Sequence, residues 1–413
     1  MRGQFLPPAQ DAHSFTNPSI IYRMASETPI DPGNQPKNSS GDTLKSSFKL
    51  KFINPTTALI LEDDSYFEQP LIYVKIYPDF LIITDTGTNS PREKQSSSTS
   101  LSLRRYLETV PVQHPAPHGK YEPLNAGGKK RYVIICTHAH YDHILGIPAF
   151  LDATPPPFIV ASGNDPSFVT KNLPTHSLCK YLHIPTPVYM VNHWTEHLEY
   201  VTPPGLLNNP SPSTVDQISN SLGFQFLHIP GHTPDSLAWY DVEERHLYIG
   251  DMLYQRKFTT PKGFGPLPEQ DAAIIFPAEG NWISYLASLD SLIRFTSCEN
   301  TRLKLQSSEM KMPQRVKLGC GHVTYAGDAE NMAREVRRLF ERILKGKVPV
   351  VRSFVKRGLL FDVWKENEPT DYIVEAPRKL CEDAKRERGL VDAVGEGARL
   401  RICIHGDGIR ELF

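Results

Sequence analysis

The sequence has no surplus of charge of either sign. Its 413 residues carry 45 Lys and Arg against 46 Asp and Glu, a formal net charge of −1. A protein specialised for the phosphate backbone selects for excess positive charge, so nucleic acid is not expected as its partner. Long apolar runs are also missing. None approaches the roughly 20 residues needed to span a bilayer. The opening Met-Arg-Gly-Gln-Phe-Leu-Pro-Pro lacks the apolar core of a secretory signal. Cysteine is scarce: Cys136, Cys179, Cys298, Cys320, Cys381 and Cys403, with no Cys-x-x-Cys pair. Such usage fits free thiols in a reducing compartment. The expectation is a cytoplasmic protein with neither membrane nor nucleic-acid partner. Asn38-Ser39-Ser40 matches a glycosylation acceptor, but without a secretory signal the match is read as chance.

What is abundant is proline, at 36 residues, well above the average share of about 5%. Residues 1–45 hold six of these prolines among Ser, Asn and Gln, without any sustained period. They read as a flexible tail. Structure is expected from 46 to 350, as one domain, followed by an extension over 351–413 with short helical elements.

The segments Lys-Leu-Lys-Phe-Ile, Thr-Thr-Ala-Leu-Ile-Leu-Glu, Leu-Ile-Tyr-Val-Lys-Ile-Tyr and Phe-Leu-Ile-Ile-Thr-Asp-Thr-Gly are β-branched, aromatic and separated by turn signals. They predict an antiparallel run of strands. Residues 131–136 are continuously apolar after Arg131, which predicts a central strand buried on both faces. Further strands are expected at 158–161, 224–229 and 315–318, and a hairpin over 236–249. Helices are expected at 100–110, 282–295, 328–345 and near 378–388, from apolar positions at helical spacing.

Four separate strand ends terminate in residues able to bind a metal. They are His138-Ala-His140-Tyr-Asp142-His143, Gly231-His232-Thr-Pro-Asp235-Ser, Gly250-Asp251 and Gly321-His322. Residues at one edge of a sheet converge in space although distant in sequence, and a neighbouring Gly permits close backbone approach. Five imidazoles and two carboxylates suit two borderline cations such as Zn²⁺.

These motifs, preceded by Thr84-Asp85-Thr86-Gly87, resemble those of the metallo-β-lactamase superfamily over residues 47 to 345. The resemblance implies an α/β fold, an αββα sandwich of two mixed sheets flanked by helices, with the metal site on one edge. It implies two Zn²⁺ ions. His138, His140 and His232 would hold the first; Asp142, His143 and His322 would hold the second; Asp251 would bridge them. Asp85 would support the first cluster from behind. Asp235 departs from the pattern, since many members carry Gly there. It is either a cap on the following strand or a group that handles protons near His232.

The chemistry implied is hydrolysis. A metal-bound hydroxide attacks the acyl carbon of a lactam, lactone or thioester, and Asp142 orients it and shuttles its proton. No Ser or Cys nucleophile is needed, so Cys320 is expected to be a buried packing thiol. His at 140, where an oxygen-reducing di-iron member would have an acidic residue, favours hydrolysis over redox chemistry. The alternatives are a metal-dependent nuclease or phosphodiesterase, a glyoxalase-II-like thioesterase, and a metal-binding protein without catalysis. The segment 252–281 is the expected substrate loop, holding Tyr254, Phe258, Phe264, Phe276 and Asn281. Tyr254 and Asn281 are its candidates to serve an oxyanion, and the expected partner is a small-molecule acyl substrate.

Overall fold

The computed structural model describes residues 46–92, 101–115, 119–202, 223–256, 272–306, 314–367 and 371–393. The expected tail at 1–45 lies outside these, as do Phe258, Phe264 and Cys403.

Strands β1 (Phe48–Asn54), β2 (Thr57–Glu62), β3 (Leu71–Ile76) and β4 (Phe80–Thr84) form the predicted antiparallel run. Helix α1 (Leu103–Thr109) is capped by Ser102, whose side chain accepts the Arg105 N–H, and it buries Leu103, Tyr106 and Leu107. Short strands β5 (Val112–Gln113) and β6 (Tyr121–Glu122) form a separate ribbon. Strand β7 (Arg131–Ile135) lies parallel to β4, and its four apolar residues are all buried. Then come α2 (Tyr141–Ile144), β8 (Phe158–Ser162), α3 (Pro166–Thr170), α4 (Leu173–His176), α5 (Cys179–Leu182) and β9 (His193–Thr195). The first sheet has seven strands in the order β1-β2-β3-β4-β7-β8-β9.

The second sheet holds β10 (Tyr200–Val201), β11 (Phe224–His228), β12 (Leu237–Asp241) and β13 (His246–Tyr248). After β14 (Ile274–Ile275) and α6 (Trp282–Gln306), β15 (Lys317–Gly319) and β16 (Gly327–Asp328) complete it in the order β10-β11-β12-β13-β15-β16. Helix α6 runs well past the predicted end at Phe295, because the polar Ser297-Cys-Glu-Asn-Thr stretch contains no breaker and simply faces outward in part. Helix α7 (Ala329–Leu344) is capped by the Asp328 carboxylate on the Asn331 N–H, and buries the predicted stripe Met332, Val336, Leu339, Phe340 and Ile343.

Period-two alternation gives each sheet two apolar faces, and both are used. Leu59, Leu61, Ile82, Val133 and Ile135 of the first sheet pack against Phe226, Trp239 and Tyr248 of the second. On the outer side of the first sheet, Ile60, Val74, Ile83 and Ile134 pack under Leu103, Tyr106 and Leu107 of α1. On the outer side of the second, Leu227, Ala238, Tyr240 and Leu247 pack under α6 and α7 through Tyr285, Leu289, Val336 and Phe340. This is the expected αββα sandwich. At about 1.5–3 kcal/mol for each large apolar side chain buried, these three layers are the main driving force of the fold. Among the described residues no helix is long and apolar enough to cross a membrane.

One region differs from the sequence reading. The extension over 351–413 is expected to carry short helical elements, with a helix near 378–388. The helix is there, as α8 (Arg378–Ala393), but strands β17 (Val350–Lys356), β18 (Leu359–Trp364) and β19 (Val374–Pro377) precede it. The hairpin turns on Arg357 and Gly358, at φ of 52° and 76°, the paired left-handed conformation that suits a two-residue hairpin loop. Balanced charge along the segment hides the strands, because Arg352 pairs with Glu375 at 3.2 Å and Arg378 with Asp362 at 2.8 Å. This sheet has the order β14-β19-β18-β17, so it incorporates a strand from the middle of the chain.

Candidate metal centre

The strand ends converge as their spacing implies. β4 delivers Asp85, β7 delivers residues 137–143, β11 delivers His232, β13 delivers Asp251 and β15 delivers His322. The Leu237 N–H donates to the Thr137 carbonyl at 2.7 Å and joins the two sheets at this edge.

Two adjoining groups of buried donors result. In the first, His140 Nδ1 lies 2.9 Å from His138 Nε2 and 3.2 Å from His232 Nε2. In the second, Asp142 Oδ2 lies 3.1 Å from His322 Nε2 and 3.4 Å from His143 Nε2. Asp251 sits between them. Its Oδ1 is 3.5 Å from His143 Nε2, and its Oδ2 is 3.5 Å from His322 Nε2, 3.9 Å from His138 Nε2 and 4.0 Å from His232 Nε2.

Four of the five remaining ring nitrogens are occupied from behind, while His140 Nε2 is buried without a hydrogen bond among the described residues. The Thr137 hydroxyl donates to Asp85 Oδ2 at 2.8 Å, so its oxygen accepts from His138 Nδ1 at 3.2 Å. His143 Nδ1 donates to Asp85 Oδ2 at 2.8 Å. His232 Nδ1 donates to the Ile275 carbonyl at 2.9 Å, and His322 Nδ1 to the Glu68 carbonyl at 2.8 Å. Each of these four rings therefore holds a proton on Nδ1 and turns its Nε2 inward. The arrangement is the one that metal-ligating histidines use.

The donor set fits metal ions. Ligand nitrogens around a tetrahedral Zn²⁺ at 2.0–2.1 Å stand about 3.3 Å apart, close to the separations in the three-histidine group. His143 Nε2 and Asp251 Oδ1 are buried and make no hydrogen bond among the described residues, which is costly for groups that nothing else satisfies. Gly321 is needed at this point: a Cβ there would stand 2.2 Å from Asp251 Oδ1 and 2.7 Å from His143 Cε1.

The two groups differ electrostatically. Burial, and then the neighbouring histidines, hold His138 well below the usual imidazole range; burial and His232 push His140 down to about 3. His232 is lowered by burial as well. Burial alone would lower His143 and His322 too, but the surrounding carboxylates, Asp142 and Asp251 foremost, carry both well above the usual value. Burial would raise Asp142 and Asp251, yet the same two histidines hold them well below the carboxylate range. The first group is thus a pocket of neutral nitrogens, and the second sets two histidines that favour the protonated form against two ionised carboxylates.

Among the other expected residues, Tyr254 is buried with its ring 5.9 Å from that of His322. Burial keeps its hydroxyl protonated, far above the usual phenol range. Asn281 lies beside the His232 loop, its N–H donating to the Gly231 carbonyl at 2.8 Å, but its side chain is engaged elsewhere. It is exposed, and its Oδ1 accepts the Ser284 N–H at 2.8 Å at the start of α6. An amide ahead of a helix is consumed by the free N–H groups of the first turn. Asp235 is buried three residues beyond His232, with its acidity pushed up to about 7 by burial; Thr233 and the Ala139 amide face it and act in the opposite direction. Cys320 is buried as expected, its thiol raised by burial.

Four contributors went unnoticed in the sequence: Thr137, Glu68, Tyr141 and Ile275. Glu68 is doubly placed, its carbonyl on His322 and its carboxylate accepting the Tyr141 hydroxyl. Burial and then Asp142 push Glu68 up to about 7. Thr137 was visible between a strand and a histidine. Main-chain carbonyls such as those of Glu68 and Ile275 leave no trace in a sequence.

With the site in view, the comparisons are informative. The family model described as the metallo-beta-lactamase superfamily matches residues 66–297, and this chain belongs to that superfamily. A curated relative from Aspergillus versicolor, named "Putative transcription factor avaE", is 30% identical over 310 residues, 73% of this chain and 78% of that protein. Among solved structures, a metallo-beta-lactamase from Pontibacter korlensis is 11% identical and covers 71% of this chain and 98% of its own, at a TM-score of 0.40. A metallo-beta-lactamase family protein from Thermus thermophilus is 16% identical, with 71% and 82% covered and a TM-score of 0.39.

Proposed function

We propose that the protein is a dinuclear zinc hydrolase acting on an acyl carbon, in a lactam, a lactone or a thioester. The observation that carries this reading is the meeting of seven buried donors in two adjoining groups with Asp251 between them. Zinc ions bound there would acidify a water and polarise the carbonyl oxygen of the substrate. His138, His140 and His232 would hold one ion, Asp142, His143 and His322 the other, and Asp251 both.

Asp142 is the residue suited to orient the attacking water and hold its proton. His143 and His322 keep its carboxylate ionised, and it stands among the inward-facing donors rather than behind them. Tyr254, protonated and packed beside His322, would donate to an oxyanion. The name of the fungal relative raises a nucleic-acid reading. A net charge of −1 weighs against it.

Elemental analysis of purified protein, paired with a hydrolysis screen across lactams, lactones, acyl-thioesters and phosphodiesters, tests the proposal. The expected result is nearly two zinc ions per chain and turnover of an acyl substrate that His138→Ala abolishes. Fewer than half an ion per chain would overturn the metal reading. Turnover confined to phosphodiesters would overturn the acyl assignment.

A further inference from the structure

The carbonyl that orients His232 does not belong to any of the ligand loops. It comes from Ile275 on β14, a two-residue strand whose sole sheet neighbour among the described residues is β19. The pairing is parallel, with Ile274 opposite Val374 and Ile275 opposite Glu375. The Ile274 N–H donates to the Ile373 carbonyl at 2.8 Å, and the Phe276 N–H to the Glu375 carbonyl at 2.9 Å.

Alternate residues of a strand direct their main-chain groups to opposite edges. Since Ile274 and Phe276 are joined to β19, Ile275 must present its own carbonyl to the other edge. There it meets His232 Nδ1 at 2.9 Å. One edge of β14 is thus closed by the C-terminal strand, and the other faces the metal centre.

The C-terminal strand is itself firmly seated. Val374 and Ala376 are fully buried, and β19 pairs with β18 through Val363 opposite Glu375 and Trp364 opposite Val374. Rings continue the contact back to the site. Trp364 packs on Trp282 at 5.2 Å, Trp282 on Phe276 at 5.9 Å, and Phe276 lies 6.2 Å from the ring of His232. At the far end of the hairpin, the Arg357 guanidinium lies 4.7 Å over the ring of Tyr181 on α5. The strands β17, β18 and β19 all lie beyond 297, where the family match stops.

We infer that strand β19 is a positioning element of the metal centre: it fixes Ile275, and through Ile275 the orientation of His232. The segment after residue 350 is then a working part of the site rather than an appendage. Val374, with Ile274 as its partner, is the side chain on which this placement turns. The inference rests on the metal-binding part of the function proposed above.

Cobalt(II) titration of the full-length metal-free protein tests it, because the visible absorption of bound cobalt reports the coordination of each group. Two variants are compared: Val374→Ala, and Val74→Ala as a control of equal chemistry and burial in the outer core of the first sheet. The expected result is that Val374→Ala weakens cobalt binding at the three-histidine group about 10- to 100-fold, the usual cost of losing an outer-shell partner. Binding at the Asp142 group should be little changed, and Val74→Ala should lower thermal stability while leaving both groups as in the parent. Equal affinities in the two variants would overturn the inference.

A second measurement does not depend on the variants folding. In the metal-free parent protein, nitrogen-15 NMR should show a slowly exchanging proton on His232 Nδ1; a proton on Nε2 would overturn the inference. A parent protein that takes up no cobalt at all would overturn this inference and the metal reading together.

Discussion

His143 Nδ1 lies 2.8 Å from Asp85 Oδ2, the same oxygen that accepts the Thr137 hydroxyl at 2.8 Å. One buried carboxylate thereby fixes the ring orientation of His143 directly and that of His138 through Thr137. It also anchors the loop by accepting the Thr137 N–H on Oδ1 at 2.8 Å. Asp85→Asn replaces one of those acceptor oxygens with a donor. Metal affinity should fall about 10- to 100-fold, with hydrolysis falling in parallel and the far-ultraviolet dichroism preserved. Competition against a chelator of known affinity measures it, and unchanged affinity would remove Asp85 from the site.

Gly321 makes a sharper prediction, because no conformational freedom is involved and only space matters. Gly321→Ala would place a methyl group 2.2 Å from Asp251 Oδ1 and 2.7 Å from His143 Cε1. Neither side chain can retreat, since both are buried and His143 is tied to Asp85. The Asp142 group should lose its ion, while the three-histidine group keeps most of its affinity. Metal analysis after dialysis should show about one ion per chain where the parent shows about two. Retention of both would show that the loop yields more readily than its packing implies.

How much of this was legible in the sequence depends on whether side chains or main chain carry the function. The ligands could be read because each follows an apolar strand, and strands of one sheet bring their ends to one edge. Asp85 could be read for the same reason, at the end of β4 beside β7. The Ile275 and Glu68 carbonyls could not, since any residue supplies one. The third sheet was missed because its charged residues are paired across strands, as Arg352 is with Glu375, and so resemble a solvated surface. The capping of α6 by Asn281 could not be read either, because position in a loop beside the site says nothing about the free N–H groups one turn ahead.

The cap yields its own test. Asn281→Ala removes the acceptor for the Ser284 N–H at the head of α6. Stability should fall by roughly 1 kcal/mol, the ordinary cost of deleting a helix cap, while kcat and KM for an acyl substrate stay as in the parent. Thermal denaturation and steady-state kinetics on one preparation separate the two roles. A loss of kcat with no change in stability would return Asn281 to the active site.

Glu62 gives a prediction about pH that is separate from the metal ligands. Its side chain is fully buried and accepts the Thr88 N–H at 2.7 Å, the Thr88 hydroxyl at 2.9 Å and the Ser90 N–H at 3.0 Å. Burial, with Asp64 nearby, nevertheless pushes its pKa from 4.5 up to about 8. In that interval the folded chain holds a proton that the unfolded chain has released. The stability it contributes is therefore fully present below the unfolded pKa of 4.5 and is lost as pH rises through about 8. The slope reaches at most about 1.4 kcal/mol per pH unit. Glu62→Gln cannot titrate, so between pH 5 and 9 its urea midpoint should decline less steeply than that of the parent. Parallel curves for the two proteins would mean that Glu62 is ionised in the fold, held so by its three donors.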